Sequence, residues 1–198
     1  MENFTFYAPT YFSFGKDSEK HIGELVKRFG GHKVLIHYGG GSIKRNGVYQ
    51  RTVDSLNAAG VPFIELAGVK PNPRSGLVYE GIELCRREKV DFILAVGGGS
   101  VADGCKFIAA AIPFDGEPWD ILAKRAKVRQ AVPLGIVLTL PATGSEMNCF
   151  SVVSRTETNE KLSFGSPAVW PRFSVLDPES TYTLPPRQVG NGIVDAFV

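Results

Sequence analysis

The sequence is poor in cysteine, carries almost no net charge and contains no long hydrophobic run. Its 198 residues include three cysteines, Cys85, Cys105 and Cys149, which are widely spaced and form no Cys-x-x-Cys pair. This pattern is typical of reduced, buried thiols and gives no support to a disulfide framework or a cysteine-rich metal site. The net charge is +2, and the basic residues are scattered along the chain. Nucleic acid is therefore not expected as a partner.

Signals for membrane insertion or secretion are also missing. No apolar stretch approaches the ~20 residues of a membrane-spanning helix, and the first residues lack the basic and apolar regions of a secretory signal peptide. We therefore expect a cytoplasmic protein without a membrane partner. Histidine is scarce as well, since His21, His32 and His37 are the three present. Because no histidine follows His37, residues after position 37 provide no imidazole ligand for a metal.

The sequence does contain a regular alternation of short apolar runs with amphipathic segments. Buried β-strands are predicted at residues 33–37, 61–66, 91–96 and 133–138, and helices at 47–59 and 75–88. Such alternation is typical of an α/β fold with a doubly wound, mostly parallel sheet and helices on both faces. The aromatic-rich residues 4–14 alternate like a further strand, which we expect to pair with an edge of the sheet or with a second copy of the chain.

Two glycine-rich turns follow predicted strands. Gly39-Gly40-Gly41-Ser42 comes after the first strand, and Gly97-Gly98-Gly99-Ser100 comes after the third. Glycine lets backbone N–H groups approach a phosphate closely, and the start of the following helix adds a partial positive charge. We expect both turns to lie at the same edge of the sheet and to bind one dinucleotide. An ordinary tight turn without a ligand is the alternative for either turn taken alone.

Five short motifs occur in order along the chain. They are Tyr38-Gly39-Gly40-Gly41-Ser42, Pro71-Asn72-Pro73, Gly97-Gly98-Gly99-Ser100-x-x-Asp103-x-x-Lys106, Thr139-Leu140-Pro141-Ala142-Thr143-Gly144-Ser145-Glu146 and Gly192-Ile193-Val194-Asp195-Ala196. Together they resemble the iron-containing alcohol dehydrogenase family, and most closely its NADPH-dependent, butanol dehydrogenase-like branch. The resemblance covers the whole sequence but only the N-terminal half of a family member.

The resemblance implies that residues 1–186 form a Rossmann-like nucleotide-binding domain, which includes an N-terminal β segment. Residues 187–198 would be the first part of the leading helix of an all-α, metal-binding C-terminal domain that is absent from this sequence. The implied reaction is hydride transfer between a nicotinamide cofactor and a primary alcohol or aldehyde, assisted by a divalent metal, Fe²⁺ or Zn²⁺. A homodimer is expected, as is frequent in the family.

Asp195 matches the aspartate among the family's four metal ligands, which are one aspartate and three histidines. The histidines of this sequence match none of the others. We therefore expect the chain by itself to bind nucleotide without catalysing the reaction, because one carboxylate does not hold a catalytic metal.

The resemblance also implies roles in cofactor binding. Gly97, Gly98 and Ser100 are expected at the pyrophosphate, Asp103 at the ribose or nicotinamide end and Lys161 at a ribose, with an exposed strand lysine as the alternative reading of Lys161. The segment around Thr139 would line the path from adenosine to nicotinamide. The full set of predicted contacts is Gly40, Gly41, Ser42, Asn72, Pro73, Gly97, Gly98, Gly99, Ser100, Asp103, Thr139, Leu140, Thr143, Ser145, Asn148 and Lys161.

The first glycine turn bears on the choice of cofactor. NAD-specific sites place a carboxylate near the adenosine ribose, where it repels the 2′-phosphate of NADP. From Tyr38 to Gly47 the sequence has no Asp or Glu, and it supplies Ser42, Lys44 and Arg45 instead. This composition favours NADP(H) over NAD(H).

Two other functions fit the same residues. A dehydroquinate synthase-like lyase resembles this fold and also uses a nucleotide and a metal. A truncated, non-catalytic protein could retain the nucleotide site alone. The physiological alcohol or aldehyde does not follow from the sequence.

Overall fold

The computed structural model describes residues 3, 5 and 7–197. Its strands are β1 (Tyr11–Phe14), β2 (Val34–Tyr38), β3 (Phe63–Leu66), β4 (Phe92–Gly98), β5 (Leu134–Leu140), β6 (Phe150–Arg155), β7 (Glu160–Gly165) and β8 (Phe173–Leu176). Its α-helices are α1 (Ile22–Arg28), α2 (Ser42–Arg45), α3 (Val48–Ala58), α4 (Ser75–Glu88), α5 (Gly99–Ala111), α6 (Asp120–Ala123) and α7 (Pro186–Phe197). The predicted helix at 75–88 coincides with α4, and the predicted strands differ from the observed ones by one or two residues at their ends.

Six of the strands form one sheet in the order β1-β8-β5-β4-β2-β3. Every neighbouring pair in this sheet is parallel, which confirms the predicted doubly wound arrangement. The remaining strands, β6 and β7, form a separate antiparallel hairpin. Because β3 and β4 lie on opposite sides of β2, the winding of the chain reverses between β2 and β4. Ligands of open α/β sheets bind at such a reversal, outside the carboxyl ends of the strands.

The central strands are apolar throughout because both faces of the sheet are covered. On one face, Val34 and Ile36 of β2 pack in a core with α1 and α3. On the other face, Leu35 of β2 and Ile93 of β4 pack in a core with α4 and α5. Alternate residues of each strand thus serve opposite layers, which is why a continuous apolar run and not an alternating one marks these strands in the sequence.

The last four residues of the aromatic segment predicted at 4–14 pair with an edge of the sheet. Tyr11–Phe14 forms β1, which lies parallel to β8 with Tyr11 opposite Phe173. Phe12 and Phe14 of β1 remain exposed. Phe4 and Phe6, which belong to the same predicted segment, lie outside the described residues.

The cysteines are free thiols, as the composition predicts. Cys85 and Cys105 are buried and Cys149 is half-buried. Burial raises the pKa of the Cys85 thiol to about 12, so this thiol stays protonated and unreactive at neutral pH. Within the described part of the chain, no helix is both long and apolar enough to cross a membrane.

Candidate functional site

The two glycine turns lie side by side at the carboxyl edge of the sheet. Tyr38 at the end of β2 is the register partner of Val96 in β4. The turn 39–42 and the turn 97–100 therefore leave neighbouring parallel strands at the same edge, as predicted. The two turns flank the point between β2 and β4 at which the winding of the sheet reverses, and ligands of open α/β sheets bind at such points.

The second turn, residues 97–100, is tightly packed and opens directly into α5. A Cβ on Gly97 would lie 2.5 Å from Cγ2 of Val101, and a Cβ on Gly99 would overlap Oγ1 of Thr143. The helix has no side-chain cap at its N-terminus. Its first N–H groups have no partner within the helix. Backbone donors at the start of a helix of 13 residues suit an anionic group.

The loop after β3 reaches this second turn. Asn72, between two prolines, has a left-handed backbone with φ of 58°. Its N–H donates to Oγ of Ser100 over 3.1 Å. Pro73 lies close to α5, since a Cβ on Gly104 would be 3.5 Å from Cβ of Pro73. The structure thus brings the predicted Asn72 and Pro73 together with Ser100.

The first turn, residues 39–42, is open to solvent. Gly40, Gly41 and Ser42 are exposed, and a Cβ on Gly40 would have no atom within 4 Å. The helix that follows, α2, has only four residues. This turn therefore has space for a ligand or a side chain, in contrast to the second turn.

A carboxylate that sequence reasoning missed lies at the first turn. Glu65 of β3 accepts hydrogen bonds from the hydroxyls of Tyr38 (2.8 Å) and Tyr49 (2.6 Å). The Lys44 ammonium lies over the same two rings, 5.4 Å and 4.6 Å from their centroids. The bond to Glu65, aided by burial, raises the pKa of Tyr49 to about 12. Residues 38–47 contain no acid, but the neighbouring strand supplies one, and the parallel pairing of β2 with β3 was the signal that could have found it.

The β5–β6 loop, residues 141–149, covers the start of α5. It follows the predicted Thr139 and Leu140 at the end of β5, and Thr143 contacts Gly99. Ser145 is buried, and its hydroxyl donates to Oδ1 of Asp103 over 2.7 Å. The predicted residues of β5, of this loop and of the second turn therefore lie together.

Asp103 is held within the protein by both carboxylate oxygens. Oδ1 accepts from the Ser145 hydroxyl, and Oδ2 accepts from the backbone N–H of Val152 over 3.0 Å. Burial raises the pKa of Asp103, an effect that the charges of Lys106 and Lys161 oppose. The contact predicted between Asp103 and the cofactor stays a prediction.

Lys106 and Lys161 differ in exposure. Lys106 belongs to the second-turn motif, but the sequence predicts no function for it. Its side chain, on α5, is fully buried. Lys161 is exposed on β7, opposite Ser154 of β6. Its exposure leaves both readings of Lys161 open.

Asp195 is exposed on α7. It lines a cleft of about 400 Å³ between α7 and the β5–β6 loop, together with Leu140 and Ala142. The described residues contain no group of three or more His, Cys, Asp or Glu side chains that could hold a metal ion. A catalytic transition metal requires about three protein ligands, so Asp195 does not form such a site with the other described residues.

Comparison with known proteins gives a consistent result. The model of the family described as iron-containing alcohol dehydrogenase matches residues 9–178. The probable NADH-dependent butanol dehydrogenase 2 of Bacillus subtilis is 52% identical over 195 residues, which cover 98% of this chain and 50% of that protein. The NADPH-dependent aldehyde reductase YqhD of Escherichia coli is 49% identical over 201 residues, which cover 100% of this chain and 51% of that protein.

A solved structure agrees with the sequence matches. The NADH-dependent butanol dehydrogenase A of Thermotoga maritima has a TM-score of 0.96 and 45% identity, covering 99% of this chain and 49% of that one. The chain thus spans about half the length of the relatives it matches. The family inferred from the five motifs is confirmed: the chain belongs to the iron-containing alcohol dehydrogenases.

Proposed function

We propose that this chain is the nucleotide-binding part of an NADP(H)-linked alcohol dehydrogenase or aldehyde reductase. The observation that carries the proposal is the adjacency of the two glycine turns at the point where the winding of the sheet reverses. The relatives named as butanol dehydrogenases and as an aldehyde reductase support the reaction class. They support it over the lyase alternative. Because this chain spans about half of those proteins, activity is proposed for the whole protein.

The strand order suggests how the dinucleotide lies. Moving along the sheet edge, the turn after β2 comes first, then the turn after β4, then the end of β5. We place the adenosine at Gly40–Ser42, the pyrophosphate at Gly97–Ser100 and the nicotinamide near Thr139, Leu140 and Thr143. A bound nicotinamide supplies or accepts the hydride. The residues of this chain hold and orient it.

NADP(H) is proposed over NAD(H) on the basis of the first turn. Lys44 and Arg45 are cationic, and the space at Gly40 is open. Glu65 is the opposing charge, but its two oxygens already accept from two tyrosine hydroxyls. The relatives are named for both cofactors, so the preference has to be measured on this protein.

Asp195 is proposed as one metal ligand of the whole protein, with iron or zinc as the metal. Asp195 and the other described residues do not form a metal site by themselves. The metal-dependent part of the reaction therefore does not follow from this chain.

The edge strand β1 supports a proposal of a homodimer. Tyr11, Phe12 and Phe14 are 41%, 40% and 75% exposed at the edge of the sheet. Exposed apolar edge strands are templates for pairing with another chain. Light scattering at high protein concentration tests the proposal, and a monomer under those conditions would contradict it.

Nucleotide binding is the direct test of the proposed function. Calorimetric titration should show NADPH binding about tenfold more tightly than NADH, because one charge-assisted contact to the 2′-phosphate contributes about that much. In an assay with NADP⁺, 1-butanol and added Fe²⁺ or Zn²⁺, we expect binding without turnover. Binding of neither nucleotide would refute the proposal, and tighter binding of NADH would reverse the cofactor assignment. Metal-dependent turnover by this chain would show that the active site is misassigned.

A further inference from the structure

The Lys106 ammonium group has four hydrogen-bond acceptors, all from residues 145–150. They are the carbonyl oxygen of Ser145 (2.7 Å), Oγ of Ser145 (2.8 Å), Oδ1 of Asn148 (2.9 Å) and the carbonyl oxygen of Phe150 (2.9 Å). A lysine ammonium has three N–H donors. Its donors are therefore all engaged, and they are all engaged by the β5–β6 loop and the first residue of β6.

A carboxylate accompanies this buried cation. Asp103 lies one helical turn before Lys106, and the Ser145 hydroxyl donates to Asp103 while it accepts from Lys106. A buried ammonium is destabilising unless an opposite charge and hydrogen bonds compensate for its loss of hydration. Burial lowers the pKa of Lys106 to about 8, so the group is still charged at neutral pH.

The position of this network connects it to the glycine turns. Ser145 follows Thr143 by two residues, and Thr143 is the residue that contacts Gly99 at the N-terminus of α5. Between them, Gly144 has a left-handed backbone with φ of 65°. The loop is thus held to α5 at two places, by packing at Gly99 and by charge at Lys106.

We infer that Lys106 and Asp103 are positioning residues, which hold the β5–β6 loop where it lines the nicotinamide half of the dinucleotide. The inference rests on the proposed function and on the order of the turns along the sheet. The adenosine half lies at the first turn, which this network does not touch. A change at Lys106 should therefore weaken binding of the whole dinucleotide and leave binding of its adenosine end unchanged.

The test uses two ligands and two variants. NADPH is the whole ligand, and adenosine 2′,5′-bisphosphate represents its adenosine end. Lys106→Met keeps an unbranched side chain, one heavy atom shorter than that of lysine, and removes its charge. We expect Lys106→Met to bind NADPH at least about tenfold more weakly, because the β5–β6 loop loses every hydrogen bond to the ammonium group, and to bind the bisphosphate within about twofold of the original protein. The exposed Lys124, which pairs with Asp120, provides the control variant Lys124→Met.

A second measurement keeps the inference testable if Lys106→Met does not fold. Above pH 8, loss of the Lys106 proton should lower the affinity of the unaltered protein for NADPH relative to the bisphosphate. The charged or titratable groups that face Lys106 or its partner are Asp103, Cys105, Glu146, Cys149 and Lys161. If Cys149→Ser shows the same pH profile, the half-buried Cys149 thiol is not the source of the fall in affinity.

Six outcomes decide the matter. Selective loss of NADPH binding, or the selective fall above pH 8, supports the inference. Unchanged NADPH binding in folded Lys106→Met overturns it, as does an equal loss of both ligands. A flat pH profile, when the variant is unfolded, also overturns it. Failure of the unaltered protein to bind either ligand would refute the proposed function itself, and the inference with it.

Discussion

The two glycine turns have the same four residues, Gly-Gly-Gly-Ser, but opposite surroundings. In the second turn, a Cβ on any of the three glycines would lie 3.2 Å or less from another side chain. In the first turn, a Cβ on Gly40 would meet nothing within 4 Å. Glycine is thus required by packing in the second turn, whereas at Gly40 in the first turn it leaves space.

The two turns also differ in the charge of the buried basic residue beside each of them. His37 precedes the first turn on β2, is fully buried and donates through Nδ1 to the carbonyl oxygen of Leu66 over 2.8 Å. Burial lowers the pKa of His37 to about 4, so this base is neutral at pH 7. Lys106 lies behind the second turn and is charged. The open turn therefore follows a strand whose buried histidine is neutral. The loop that packs on the second turn is held by the charged Lys106.

The largest effect that we expect is a loss of folding stability in acid that depends on His37. Between pH 6.5 and pH 4 the unfolded chain binds a proton at His37 that the folded chain does not. The contribution of neutral His37 to the free energy of unfolding is therefore fully present above pH 6.5 and is lost as the pH falls to 4. The shift from 6.5 to about 4 corresponds to about 3 kcal/mol. Urea unfolding across this pH range measures the loss, and His37→Gln should show a smaller one.

Exposed His21 provides the control for the His37 prediction. His21→Gln removes a histidine from the surface and controls for the loss of an imidazole as such. Titrating carboxylates contribute to all three proteins and cancel in the differences. Equal pH dependence of His37→Gln and the unaltered protein would show that His37 is not the source.

A smaller effect is expected from Gly99→Ala in the packed turn. The new methyl group would overlap Thr143 Oγ1, and overpacking of this kind costs about 1–3 kcal/mol. Thr143→Ala removes the atoms that clash, so the double variant should regain most of the loss. Denaturant unfolding of the four proteins gives the coupling free energy. Additive effects of the two substitutions would mean that the loop is not packed on Gly99.

The smallest effect on the fold is expected from Gly40→Asp in the open turn. The site has space for the side chain, so stability should change by less than about 0.5 kcal/mol. Affinity for NADPH should fall about tenfold more than affinity for NADH, because the carboxylate repels the 2′-phosphate. Gly40→Asn has the same shape without the charge and is the matched control. Equal losses for both nucleotides would show that this turn does not contact the 2′ position.

Much of the fold could be predicted from the sequence because its signals are local. Strands such as β4 are short apolar runs between polar residues, and α4 has a clear amphipathic period. Because parallel strands end at one edge, the positions of the two turns followed from the alternation alone. The antiparallel pairing of β6 with β7 did not follow, because the apolar residues of a short strand do not indicate which strand it pairs with.

The site was less predictable because its contacts join distant parts of the chain. The charge of the first turn depends on Glu65, which comes from a neighbouring strand and lies 16 positions after Tyr49. The packing of the second turn depends on Thr143, and the buried charge of Lys106 depends on acceptors about 40 residues later. A sequence motif identifies residues at a fixed spacing, whereas the structure shows which of their atoms are in contact.

The position of β1 has a consequence for the order in which the molecule is made. Tyr11 pairs with Phe173, so about 160 residues must be synthesised after β1 before its partner strand exists. At roughly 5–20 residues per second on the ribosome, this delay lasts roughly 10–30 seconds. During that time the aromatic side chains of β1 have no native strand beside them, while β2, β3 and β4 can already pair. The part of the sheet that carries the two glycine turns can therefore form before β1 pairs with β8.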